Sequence, residues 1–318
     1  MAVTLEQAKL NVQDDLQLGV IDEFRKSTWL FDNLIFDDVV SATGGGATLT
    51  YAYTRLKTQP TAGFRNVNEE YTTSEVEKQR FTADLKIFGG GFKVDRVIAN
   101  MGGIADEVAL QMAQKIKAAG SLFNDTVING DSAVDSKSFD GLEKALKGSS
   151  TEYKPAAAID LSKSEAVTKN FQAFLDALDE FLMTLDGKPS FIGGNTKLIA
   201  KLRACARRAG MYQVTKDSFG NQVESYGGIP FVDFGTKPGT NDDVVKTDLA
   251  SGETSLYAAR IGLDGFHGIS MAGQPPVKTW LPDFATAGAV KEGEVEMIAA
   301  VALKATKAAG VMRKIKVK

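Results

Sequence analysis

Residues 47–57 read ATLTYAYTRLK and residues 81–88 read FTADLKIF, and both runs alternate with a period of two. Leu49, Tyr51 and Tyr53 share one face of the first run, and Phe81, Leu85 and Ile87 share one face of the second. About two dozen mostly polar residues separate them, including Pro60, Gly63 and the pair Glu69-Glu70. One long antiparallel hairpin with a mobile tip accounts for all of this. A lone two-stranded hairpin is at best marginally stable in water, and this one carries too few apolar residues to form a core of its own, so it needs a partner surface. Gly89-Gly90-Gly91 then moves the alternation to Phe92 and Val94, as a bulge or kink would.

Downstream the period changes. From Ile104 the apolar positions step through Val108, Met112, Ile116, Ala119, Phe123 and Val127, the stripe of a helix long enough to serve as a spine. Asn129-Gly130-Asp131 ends it in a turn. A second long helix is expected to open at Ser162 with Glu165 as a capping box, to carry Val167, Phe171, Phe174, Leu178, Phe181 and Leu185, and to stop at Gly187 and Pro189. A short strand, Ser190-Phe-Ile192, leads through Gly193-Gly194 into a third helix with Asn195 or Thr196 as its N-cap. A turn at Asp217–Gly220 and strands near 229–234, 254–262, 294–304 and 311–317 follow. Mixed periods in one chain specify an α+β fold.

Upstream, Thr4 and Gln7 make a capping box ahead of Ala8, Val12, Leu16, Val20 and Phe24, an N-terminal amphipathic helix. It runs into Trp29-Leu-Phe31 and Leu34-Ile-Phe36, apolar residues that must find cover, and then into a break at Gly44–Gly46. The 318 residues suggest about two domains as a prior. The start has no basic flank before an apolar core, and no apolar run approaches the ~20 residues of a membrane helix, so the expectation is a soluble, unexported protein. The net charge of −3 lacks the basic field of a dedicated nucleic-acid binder. The ends are oppositely charged: residues 1–40 are rich in acids, and after Glu296 there are only bases, from Lys304 to Lys318. Solvated faces account for this, as would contact between the ends of neighbouring subunits.

The chemistry-bearing motifs are missing. There is no phosphate-binding Gly-x-x-x-x-Gly-Lys loop, no Gly-x-Gly-x-x-Gly turn and no Gly-x-Ser-x-Gly elbow. Cys205 is the only cysteine, which excludes an internal disulfide and multi-cysteine metal patterns. His267 is the only histidine, so a Cys205–His267 pair would be the one nucleophile–base arrangement available; a buried structural cysteine is the simpler reading. Asp131, Asp135 and Asp140 do not have calcium-loop spacing. No enzymatic activity, cofactor or metal is expected.

The order of these elements resembles the major capsid protein of tailed bacteriophages, with its Hong Kong 97-type fold, over nearly the whole chain. Ser27-Thr-Trp-Leu-Phe-Asp-Asn-Leu-Ile-Phe-Asp-Asp38 is similar to the family's N-arm, the 47–98 hairpin to its extended E-loop, and the Ile104 helix to the spine of the P-domain. Ser190–Leu198, Lys216–Gly220 and Tyr226-Gly-Gly-Ile-Pro-Phe-Val232 are similar to the A-domain. The doubled Gly227-Gly228 stands where many members have one glycine. The resemblance implies a division into 1–43 (N-arm), 44–98 (E-loop and flanking strands), 99–150 (P-domain with spine helix), 151–275 (A-domain) and 276–318 (return to the P-domain). It implies pentamers and hexamers closing an icosahedral shell around non-specifically packaged double-stranded DNA, in a virion assembled in the bacterial cytoplasm. Any scaffold, portal or decoration proteins would be separate chains. Assembly contacts are expected at Trp29, Phe31 and Phe36 of the arm, at Tyr51, Tyr53, Lys57, Phe64 and Arg65 of the hairpin, and at Arg313 and Lys314 near the basic end. An encapsulin shell enclosing a protein cargo is the alternative within the fold, and a small-molecule enzyme or binding protein the alternative outside it.

Overall fold

The computed structural model describes residues 29–41, 48–58, 60–100, 107–211, 213–216 and 222–318. The helix expected between Thr4 and Phe24, the break at Gly44–Gly46, the Ile104 start of the spine helix and the turn at Asp217–Gly220 lie outside them.

A short helix α1 (Trp29–Asn33) leads into strand β1 (Phe36–Val40), and β2 (Thr50–Leu56) and β3 (Lys78–Asp84) form the hairpin. Strand β4 (Lys86–Asp95), the one-turn helix α2 (Arg96–Ala99) and the spine helix α3 (Glu107–Asn129) follow. Then come α4 (Leu142–Leu146), β5 (Glu152–Tyr153), β6 (Ile159–Asp160), the long helix α5 (Ser164–Met183), β7 (Phe191–Gly194) and α6 (Thr196–Arg208). The rest is strand: β8 (Gln213–Lys216), β9 (Gln222–Tyr226), β10 (Ile229–Asp233), β11 (Glu253–Ala259), β12 (Phe266–Met271), β13 (Val277–Trp280), β14 (Val290–Leu303) and β15 (Ala309–Lys316).

Two sheets carry the body. The first runs β1-β12-β14-β13 with β4 also paired to β14, and the second runs β5-β15-β11-β7-β10-β9-β8 with β6 beside β15. The hairpin β2-β3 is a separate two-stranded sheet. The chain's last segment spans both sheets: β14 belongs to the first, and β15 crosses to the second, where Met312 and Ile315 join its core. Strand β12, expected with the A-domain, lies in the first sheet.

The alternation through 81–94 does change phase, but not at the glycines. Phe81, Ala83 and Leu85 turn inward, then Phe88, Phe92 and Val94, so the flip falls at Leu85–Lys86, where the chain leaves β2 and joins β14. Ile87 therefore points outward and is 56% exposed, against its expected place beside Phe81 and Leu85. The glycines run straight within β4, paired from Asp95↔Val290 to Lys86↔Ala299. A Cβ at Gly89 would sit inside the Val295 carbonyl, so the missing side chain serves close strand approach and not a bulge.

Along α3, Met112, Ala119, Phe123 and Val127 are buried as their spacing predicts, whereas Ile116 stays 41% exposed. Its buried polar residues tie segments together: Asn124 accepts from the Leu30 amide at 3.3 Å and donates to the Phe234 carbonyl at 3.0 Å, and Asn129 donates to the Val244 carbonyl at 2.7 Å. The aromatic side chains of the arm join the same core. Phe31 and Phe36 both meet Phe123, at ring separations of 5.6 and 6.0 Å, and Trp29 meets Phe191 edge-on at 5.3 Å.

Helix α5 begins two residues later than expected. Asp160 takes the Ser162 amide at 2.9 Å, which leaves Lys163 at the N-cap with no side-chain cap bond. Helix α6 starts as its sequence predicts, with the Asn195 side chain accepting from the Leu198 amide at 2.9 Å. Asn195 is fully buried, and its amide nitrogen also reaches the Val245 carbonyl and the hydroxyls of Thr247 and Thr254 at 2.9–3.1 Å. Asn195→Ala removes the cap and orphans buried acceptors at once, so it is expected to destabilise the subunit by about 2–4 kcal/mol. A denaturant midpoint within error of the parent's would show that these bonds are dispensable.

Candidate functional site

The hairpin stands off the body and is held by its root. Strands β2 and β3 pair from Thr50↔Asp84 to Leu56↔Lys78, and because the pleat has a period of two, Tyr51, Tyr53 and Arg55 share one face. Arg55 sends Nε to the Lys304 carbonyl at 2.7 Å, one terminal nitrogen to Thr306 Oγ1 at 3.3 Å and the other to the Leu303 carbonyl. Its guanidinium lies over the Phe81 ring, 4.3 Å from the centroid, and Phe81 stacks on Tyr53. The Tyr53 hydroxyl donates to the Leu303 carbonyl at 3.0 Å. A cavity of about 330 Å³ opens beside this clamp, lined by Tyr53, Arg55, Phe81, Leu142, Lys144 and Phe266.

The second half of the root is charged. The Tyr51 hydroxyl donates to Asp37 Oδ2 at 2.8 Å, and Lys304 Nζ lies 3.6 Å from the same oxygen. The opposite charges of the two chain ends are thus matched in part within one subunit. His267 packs underneath, Nε2 3.9 Å from Asp37 Oδ2, fully buried and edge-on to Tyr51.

Beyond the root the hairpin makes hydrogen bonds and ion pairs only with itself among the described residues. Lys57 and Glu77 close the ladder, with a backbone bond of 2.8 Å and an ion pair of 3.1 Å. The described residues from Lys57 to Arg80 are all exposed, including Phe64, Val67 and Tyr71. Local bonds shape the tip: the Thr61 amide donates to Ser74 Oγ at 2.9 Å, Asn66 Nδ2 donates to Glu69 at 2.9 Å, and Arg65 lies over Tyr71 at 5.1 Å. The tip is ordered by polar contacts and presents apolar side chains to solvent, the reverse of a surface that stays alone in water.

The expected contact residues therefore divide. Lys57, Phe64 and Arg65 lie on the exposed hairpin, Tyr51 and Tyr53 at its root, and Trp29, Phe31 and Phe36 half-buried against the body. Arg313 is committed inside the subunit, with Nε 2.5 Å from Glu152, NH2 2.8 Å from Glu143, and Tyr257 donating to Glu143 at 2.5 Å. Burial favours the protonated Glu152 carboxyl, but hydrogen bonds from Lys154, the Gly148 amide and Arg313 outweigh it and hold the pKa down at about 2. Lys314 reaches only the Pro155 carbonyl, at 3.4 Å. Sequence reasoning missed Arg55, Asp37, His267 and Lys304. For Arg55 a signal was present, since it lies two residues from Tyr53 on the same face.

The Cys205–His267 pair considered from the sequence does not form. Cys205 is buried on α6 among Leu198, Leu202 and Tyr226, away from His267 on β12, and burial, only partly offset by Arg208 and Lys201, pushes its thiol up to about 11. Asp131 and Asp140 are bridged by Lys144 at 2.7 and 2.8 Å, and no cluster of metal-ligating side chains occurs among the described residues. Nor is any described helix long and apolar enough to cross a membrane.

No family model matches the sequence, and no curated protein matches it. Solved structures match along their full length. The SrpI encapsulin of Synechococcus elongatus PCC 7942 is 16% identical with a TM-score of 0.63, covering 100% of this chain and 98% of that one. The capsid of a native GTA particle is 14% identical with a TM-score of 0.60, and the capsid of Myoviridae phage XM1 is 10% identical with a TM-score of 0.61; in both cases 99% of each chain is covered. Likeness over the whole length to these solved shells gives the chain the Hong Kong 97-type capsid fold, here built of two mixed sheets, a spine helix packed on the first, and a two-stranded hairpin rooted between arm and body.

Proposed function

We propose that this chain is the major capsid subunit of a tailed-phage-type head, assembling as pentamers and hexamers into an icosahedral shell around double-stranded DNA. The observation that carries the reading is the hairpin: an exposed tip bearing Phe64, Val67 and Tyr71, held out from the body by a root of charge-assisted bonds. Such a structure is stabilised when a neighbouring copy covers it. The division into N-arm, E-loop, P-domain and A-domain follows from the same reading, with β15 reassigned to the A-domain sheet. Scaffold, portal and decoration proteins would be separate partners, and assembly would take place in the bacterial cytoplasm.

Likeness to the SrpI encapsulin favours a second reading, a shell around a protein cargo. The long hairpin suits the more extensively interlocked lattice of a phage head. Light scattering and negative-stain microscopy of the purified protein, with nuclease-protected nucleic acid measured in any particles, separate the two. Closed particles containing protected DNA are expected. Particles with a co-purifying protein and no nucleic acid would support the cargo shell, and a monomer or dimer under every condition would overturn shell formation altogether.

A further inference from the structure

His267 is the only histidine in the chain and is fully buried; the Gly265 main chain is its one neighbouring hydrogen-bonding group, and neither ring nitrogen makes a bond of good geometry among the described residues. A buried polar group so poorly satisfied carries a desolvation cost and calls for a reason. Its surroundings supply one. His267 lies on β12, between β1, which pairs with β12 in parallel, and β14, where it stands opposite Ala302. Charged and titratable groups face it from each neighbour: Asp37 from β1, Tyr51 from β2, Lys304 from the end of β14, and Asp264, itself paired with Arg260 at 2.8 Å, from the loop ahead of β12.

We infer that His267 and Asp37 form an acid-sensitive latch on the hairpin root: proton uptake by His267 draws Asp37 away from the Tyr51 hydroxyl and frees the hairpin to swing. The geometry sets the competition. Asp37 Oδ2 now accepts the Tyr51 hydroxyl at 2.8 Å and lies near Lys304 at 3.6 Å, while His267 Nε2 waits at 3.9 Å, too far for a hydrogen bond. A neutral imidazole without a proton on Nε2 has nothing to offer the carboxylate. An imidazolium offers a charge-assisted bond stronger than the phenol's and closes that gap, with Tyr51 losing its acceptor. The Arg55 clamp on main-chain carbonyls is untouched, so the root loosens at the Tyr51 end and stays pinned at the other.

Burial and the Lys304 cation both push the His267 pKa down, against the pull of Asp37, so the ring is neutral in the folded subunit at neutral pH. The unfolded chain takes up this proton first. Stability from the latched state is therefore full above the ordinary histidine range, near 6.5, and drains as the pH falls towards the lowered folded value.

The test does not depend on shell formation, so its failure would leave the capsid reading standing. In the full-length chain kept unassembled, amide exchange of Tyr51–Leu56 is followed at about pH 7.5 and about pH 5, corrected for intrinsic rates, while the single histidine ring is titrated by NMR. Stem exchange is expected to rise about tenfold in acid, as loosening of a local opening unit would allow, with its midpoint on the histidine titration, below 6.5. His267→Gln should show no acid response, and Asp37→Asn should exchange fast at both values. An unchanged stem, an equal acid response in His267→Gln, or midpoints that do not coincide would overturn the latch. Should His267→Gln fail to fold, the two midpoints in the parent chain still decide.

Discussion

Replacing residues 58–76 with an Asn-Gly turn, so that Lys57 and Glu77 close a two-residue hairpin, is expected on the proposed capsid reading to leave a folded subunit that does not form shells. Lys57 and Glu77 are already paired by backbone and side chain, and Asn-Gly supplies the left-handed conformation that a type I′ turn needs, so the stem keeps its register. None of the removed described residues packs against the body, and the thermal midpoint should move little. What disappears is the surface offered by Phe64, Val67 and Tyr71. Particle yield should fall to background while circular dichroism is unchanged. Normal shells from the trimmed chain would assign closure to other surfaces and remove the hairpin's role.

The second large effect is internal. Arg313→Met should destabilise the subunit by about 2–4 kcal/mol, because Glu143 loses its counter-charge and the largely covered Glu152 is left with Lys154 alone. The same joint sets an acid limit. A carboxyl held at about 2, against an ordinary value of 4.5, stabilises the folded state fully above 4.5, and that contribution drains as the pH falls from there towards 2. Arg313→Met should therefore lose the part of the parent's acid-dependent stability between those values that Arg313 supplies, the rest being kept by Lys154 and the Gly148 amide. Parallel stability curves for the two proteins across that range would show that Glu152 is not held by Arg313.

What could be read from the sequence was whatever repeats locally. The two alternating runs gave the hairpin, the four-and-three steps gave α3 and α5, and Asn195 ahead of an apolar run gave its cap. Reading failed where meaning depends on a partner far along the chain. Gly89 looked like a kink because its reason, the Val295 carbonyl, lies some two hundred residues away. Arg313 reads as an assembly contact on a strand near 311–317, and only the pairing of β15 with β11 and β5 brings it onto two carboxylates of its own chain. His267 was weighed only as a base for Cys205, since nothing in its flanks announces Asp37 or Tyr51. Strands β12 and β13, short and without clean alternation, escaped for the same reason.

The clamp at the hairpin root reads main chain in preference to side chain: Arg55 grips the carbonyls of Leu303 and Lys304, and only Thr306 is engaged through its own hydroxyl. At this end of the root the attitude of the hairpin is thus set largely by one guanidinium, and the side chains of the turn it holds are less constrained than its backbone. Exchanges at 303 and 305 that keep the backbone path preserve the grip. Lysine at 55 keeps the charge but not the planar fork that reaches several acceptors at once. In a lineage diverging under selection for shell geometry, position 55 would be the slow clock and the turn it holds the fast one.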